Sequence, residues 1–134
     1  MMVLKTYYKT IIWFVIMVYL LFSPSSGLPK TGMLDFPHAD KLVHGVMFAI
    51  LSFVYAFDSE VAGRNLYKAA LLFSAIGLAF AALSEYIQHA FIPGRYGNVY
   101  DLLSDVAGII LGFLAYFFLG RKMTATLRIK KAGN

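Results

Sequence analysis

Asp40, Lys41 and His44 form one polar group in an otherwise apolar chain, Glu85, Gln88, His89 and Arg95 a second, and Asp101 with Asp105 a third. Asp40 and His44 stand one helical turn apart, as do Glu85 and His89, and Asp101 and Asp105, so each set projects from one face of a helix. Side chains of these types admit several chemistries. Arg95, between Gly94 and Gly97, offers a planar guanidinium that can bind a phosphate or carboxylate through paired bonds, with Glu85 and Asp101 behind it to orient it. His44 or His89 beside Glu85 or Asp101 could act as a general base. No nucleophile stands out, because Ser84 and Ser104 lie in apolar runs where a serine usually bonds backbone. The same one-turn pairs carry oxygen and nitrogen donors of the kind that bind metals. Lys41 and Arg95 close by, and the lack of a closed motif such as H-E-x-x-H, argue against a cation, so no metal ion and no cofactor is expected. The plain alternative is that Lys41 and Arg95 neutralise Glu85, Asp101 and Asp105 while Gln88 completes a network that fixes helix register.

The elements that must carry these groups are membrane spans. Of the 134 residues 60% are hydrophobic and only 14% charged, against roughly 25% charged in an ordinary soluble domain. Charge-poor runs at about 10–23, 42–57, 69–90 and 102–120 each supply most of the ~20 residues needed to cross a bilayer core. The expected fold is therefore an all-α integral membrane protein, a bundle of four transmembrane helices forming a single membrane domain over 1–134. Lys5 and Lys9 ahead of the first run also resemble a secretion signal, but no small-x-small cleavage site follows. Tyr7, Tyr8 and Trp13 suit the interface, so an uncleaved first helix is expected.

Orientation follows from the basic residues. Lys5, Lys9, Arg64, Lys68, Arg121, Lys122, Arg128, Lys130 and Lys131 gather at one set of span ends, and only Lys30, Lys41 and Arg95 at the other. The positive-inside rule then places both termini in the cytoplasm, with 121–134 as a basic tail. All three polar groups come to the outer side at one depth. The net charge of +5 is read as a topology signal and not as a nucleic-acid footprint, because the basic residues flank helices. The segment from Asp58 to Lys68 reads as a short charged inner loop. Gly108 and Gly112 allow close approach of another helix, within the chain or from a second copy, and leave the oligomeric state open. The aromatic residues Phe73, Phe80, Phe113, Tyr116, Phe117 and Phe118 read as packing or lipid-facing side chains.

Four segments in order resemble the VanZ-like family of small bacterial membrane proteins. They are Asp40-Lys41-Leu42-Val43-His44 opening one span, Glu85-Tyr86-Ile87-Gln88 closing another, Phe91-Ile92-Pro93-Gly94-Arg95 in a loop, and Asp101-Leu102-Leu103-Ser104-Asp105-Val106-Ala107-Gly108 opening the last. The resemblance covers about 36–118. It implies that Asp40, Lys41, His44, Glu85, Gln88, Arg95 and Asp101 are the family's polar positions, while Asp105 stands where the family often has asparagine. It also implies a multi-pass protein of the bacterial plasma membrane, in a family named after a member linked to low-level teicoplanin resistance, and it implies no particular reaction. The expected function is recognition of an anionic envelope group, a lipid phosphate or cell-wall precursor carboxylate, by a pocket of these residues with Asp105. Resistance to glycopeptides or envelope homeostasis would follow from it. Two alternatives stay open: an enzyme acting on a lipid-linked substrate through His44, Glu85 or Asp101, and a structural partner of another envelope protein. Membrane lipid is the expected surrounding partner in every case.

Overall fold

The computed structural model describes residues 5–23, 39–93 and 98–132, with side chains as far as residue 126. Every regular element in them is helical: α1 (Tyr8–Phe22), α2 (Ala39–Val61), α3 (Leu66–Phe91), α4 (Val99–Ala115), a π-helical segment (Tyr116–Gly120) and α5 (Arg121–Ala132). Each of the four apolar runs becomes a helix. Three helices are long and apolar enough to cross a membrane, namely Ala39–Val61, Leu66–Phe91 and the continuous stretch Val99–Thr126. At 1.5 Å per residue the shortest of them reaches ~35 Å, which exceeds the ~30 Å bilayer core. The first helix is apolar but has only 15 residues, a reach of ~22 Å.

The second helix runs further than its apolar stretch in both directions, and this corrects the reading of residues 58–68 as a loop. Asp58 and Glu60 lie on the last turn of α2. The helix ends where a glycine permits it: Gly63 has φ of 72°, its N–H donates to Glu60 O at 3.0 Å, and Arg64 N–H donates to Ser59 O at 2.9 Å. Those bonds satisfy carbonyls that the helix itself leaves open. Asn65 then caps α3, its Oδ1 accepting from the Lys68 N–H at 3.0 Å. The connection between α2 and α3 is thus residues 62–65.

Glycine also sets the central contact. A Cβ on Gly108 would collide with the Gly45 carbonyl oxygen, and one on Gly112 with that of Ala49. The G-x-x-x-G face of α4 is therefore occupied by α2 of the same chain, backbone against backbone. Met17 and Leu21 of α1, Met47, Phe48 and Leu51 of α2, Ala81 of α3 and Ile109 of α4 form the apolar core beside this pair. Trp13 Nε1–H donates to Met47 O at 3.0 Å and ties α1 to α2. Of the spanning windows, 44% of residues in α2 are buried against 17% in α3. That makes α2 the central helix and leaves Leu71, Leu72, Ile76 and Leu83 of α3 exposed, as lipid-facing residues would be.

Beyond α4 the helix does not stop at 120. Tyr116 is fully buried at the π segment, not lipid-facing, and its hydroxyl donates to Glu60 Oε2 at 2.6 Å and lies 2.7 Å from Thr124 Oγ1. Gly120 makes room for the Tyr116 ring. The basic tail is helical to Ala132.

Candidate functional site

The first turns of α2 and α4 and the last turns of α3 meet at one end of the bundle. The backbone contact between Gly45 and Gly108 brings α2 and α4 close enough for short side chains to bridge them. His44 Nδ1 lies 3.2 Å from Asp105 Oδ1, and α3 delivers Glu85, whose Oε1 is 3.6 Å from the same nitrogen. Lys41 Nζ donates to Asp101 Oδ1 and to Asp40 Oδ2, both at 3.0 Å. Three groups distant in sequence are thus one constellation. It is layered: Asp40 is 59% exposed and Lys41 20% at the rim, while His44, Glu85, Asp101 and Asp105 are buried beneath.

The other expected site residues fall around this core. Gln88 is buried, but its Nε2–H donates to Leu21 O at 2.8 Å, so it fastens the end of α1 instead of joining the carboxylates. Ser84 Oγ–H bonds Ala81 O at 2.8 Å, the backbone bond expected of it. His89 is exposed on the flank of α3. Arg95 lies outside the described residues. The carboxylates expected to orient it have other partners: Asp101 holds Lys41, and Glu85 Oε2 accepts from the Asn98 N–H at 2.9 Å.

Two polar atoms of the core have no hydrogen-bond partner among the described residues. They are Glu85 Oε1 and Asp105 Oδ2, both out of reach of solvent. Buried polar atoms are as a rule hydrogen-bonded, so these two call for a physical reason. Beside them a cleft of about 310 Å³ opens between α3 and α4, walled by Ala82, Tyr86, Val99 and Leu102 and reaching Glu85, His89 and Asn98.

A second polar centre, unforeseen in the sequence, lies at the opposite end. Asp58 is fully buried, accepts from Lys9 Nζ at 2.9 Å, and takes two bonds from Thr10, from N–H at 3.1 Å and from Oγ1 at 2.8 Å. A carboxylate against the first turn of α1 is favoured by the unsatisfied N–H groups there. With the Glu60, Tyr116 and Thr124 bonds it clamps α1, α2 and the segment after α4 together. The available signal was Lys9 just ahead of the first apolar run and Thr10 opening it. This centre is paired throughout and reads as a fastening.

A family model described as VanZ/LLP1 matches residues 4–120. The match takes in α1, which the motifs over 36–118 did not cover. No curated protein and no solved structure matches the chain.

Proposed function

Because the chain belongs to the VanZ/LLP1 family, we propose that it is a multi-pass protein of the bacterial plasma membrane whose polar centre recognises an anionic envelope group. The ligand class is a lipid phosphate or a cell-wall precursor carboxylate, and the consequence is envelope homeostasis or glycopeptide resistance. The observation that carries this reading is the cleft beside the convergent polar core. Its apolar lining at Tyr86, Val99 and Leu102 suits an acyl or polyprenyl chain, and Asn98 and His89 beside it suit a polar head. Lys41 at the rim, held in place by Asp101, and Arg95 are the cations that would meet the anion.

The test is complementation of a strain lacking the protein. Lys41→Ala and Arg95→Ala variants should insert at wild-type levels yet lose its envelope phenotypes, teicoplanin susceptibility among them. Variants that insert and leave every phenotype intact refute the reading. A catalytic reading draws on one observation, the 3.2 Å approach of Asp105 to His44, which would orient an imidazole base. Turnover of a lipid phosphate by purified protein, abolished in His44→Ala, would favour it over simple binding.

A further inference from the structure

We propose that His44, Glu85 and Asp105 hold a divalent transition-metal cation of the zinc type. Each ligand comes from a different helix, one from α2, one from α3 and one from α4. The sequence suggested metal ligands only as one-turn pairs on single helices, and the structure assembles a different set.

Distance is the first argument. One donor atom from each residue lies within 4.8 Å of the other two, and His44 Nδ1 is 3.2 Å from Asp105 Oδ1 and 3.6 Å from Glu85 Oε1. A cation bound at ~2.0–2.2 Å to nitrogen and oxygen, with angles between square and tetrahedral, places its donors roughly 3.0–3.5 Å apart. Both distances from His44 fall in or within about 0.1 Å of that range, and the two carboxylates lie within 4.8 Å of each other. Hydrogen bonding accounts for the arrangement less well. One imidazole N–H can serve one carboxylate, which leaves the second pointing at a nitrogen with nothing to give. Glu85 Oε1 is the buried oxygen so left, and Asp105 Oδ2, the far oxygen of the bonded carboxylate, is the second without a partner among the described residues.

Charge is the second argument. Glu85 is 8% exposed and Asp105 not at all, and two carboxylates buried this deeply call for two positive charges nearby. Lys41, whose presence argued against a cation in the sequence, is bonded to Asp40 and Asp101. Arg95 lies outside the described residues, and among those described a dication bound to two carboxylates and a neutral imidazole closes the balance. The mixed nitrogen and oxygen set suits zinc. The Asn98 N–H bond to Glu85 Oε2 supplies the outer support that fixes a ligand's orientation.

Three protein ligands leave coordination positions free. An anionic oxygen entering by the cleft could fill one, and that step alone rests on the proposed function. The metal site itself stands on the three side chains.

The full-length protein in nanodiscs of zwitterionic lipid, stripped with chelator and titrated with zinc alone, tests it. One zinc per chain should survive desalting. Asp105→Asn and Glu85→Gln should each weaken binding at least ~100-fold, the upper end of the effect of merely outer partners. Glu60→Gln, at the other end of α2, should leave binding unchanged. Less than a tenth of an equivalent on the wild-type protein overturns the proposal, as does undiminished binding in Glu85→Gln. No anionic ligand is present, so failure of phosphate binding in a separate titration would count against the proposed function and leave the metal site standing.

Discussion

Replacing Gly108 with alanine tests whether the backbone contact between α2 and α4 sets the geometry of the polar centre. The added Cβ would lie 3.0 Å from the Gly45 carbonyl carbon and 3.1 Å from its Cα, and would collide with the carbonyl oxygen. Ordinary contacts between carbons are ~3.5–4.0 Å, so the helices must part by about 0.5–1 Å at this level. No flexible side chain is there to yield instead. The same displacement carries the His44–Asp105 pair from 3.2 Å to beyond hydrogen-bond reach. Overpacking costs about 1–3 kcal/mol and loss of a bond to a charged group about 1.5–3 kcal/mol, giving about 2.5–6 kcal/mol in all. Neighbouring glycines supply the scale. At Gly77 the tight contact is Ile109 Cδ1 at 3.0 Å, the tip of a side chain, with Phe73 at an ordinary 3.5 Å, and at Gly45 the new atom meets the Ser104 carbonyl oxygen at 3.3 Å. Reversible unfolding in mixed micelles should therefore rank the alanine variants with Gly77 mildest, Gly45 next, and Gly108 and Gly112 worst. A Gly108→Ala protein within about 0.5 kcal/mol of wild type, the range of an ordinary surface change, would refute the reasoning. So would a Gly77→Ala protein that is equally damaged.

Two further outcomes are expected. Asp58→Ala removes the Lys9 ion pair and both Thr10 bonds, and should cost about 1.5–3 kcal/mol. Because Lys9 is 39% exposed and can rehydrate, hydrogen exchange should accelerate mainly in α1, and equal acceleration throughout α2 and α4 would contradict a local fastening. Single cysteines at Ser25, Asn65, Asn98 and Gly133, treated outside intact cells with an impermeant maleimide, should react only at Ser25 and Asn98. Labelling at Asn65 would overturn the orientation inferred from the basic residues.

The convergence of the three polar groups was legible because it depends on quantities the sequence carries directly: which run each group ends, and the one-turn spacing that puts it on one face. The pairing within the site was not. Whether Asp101 meets Lys41 or an arginine, and whether Gln88 joins the carboxylates or bonds Leu21, depends on the rotation of each helix about its axis. For α2 and α4 that rotation is set by the contacts at Gly45, Gly108 and Gly112, which the sequence shows as small residues without naming their partners. Asp58 illustrates the opposite error. A charge after an apolar run reads as a loop, yet with Lys9 and Thr10 in reach burial becomes tolerable, and the helix continues until Gly63 can turn it. The π segment at Tyr116 leaves no local pattern, because it answers to Glu60 and Thr124 on either side.

The close approach of α2 and α4 has a mechanical consequence. With no layer of side chains between them at Gly45 and Gly108, the pair has little to compress, and changes in lateral pressure or bilayer thickness cannot easily alter its spacing. The third helix is different, being 26 residues long, a reach of ~39 Å, and held by far less burial. Tilting is how such a helix meets a thinner bilayer, and its C-terminal end carries Glu85. A stiff two-helix frame with one compliant neighbour thus makes the gap between Glu85 and the His44–Asp105 pair the dimension most responsive to the surrounding lipid.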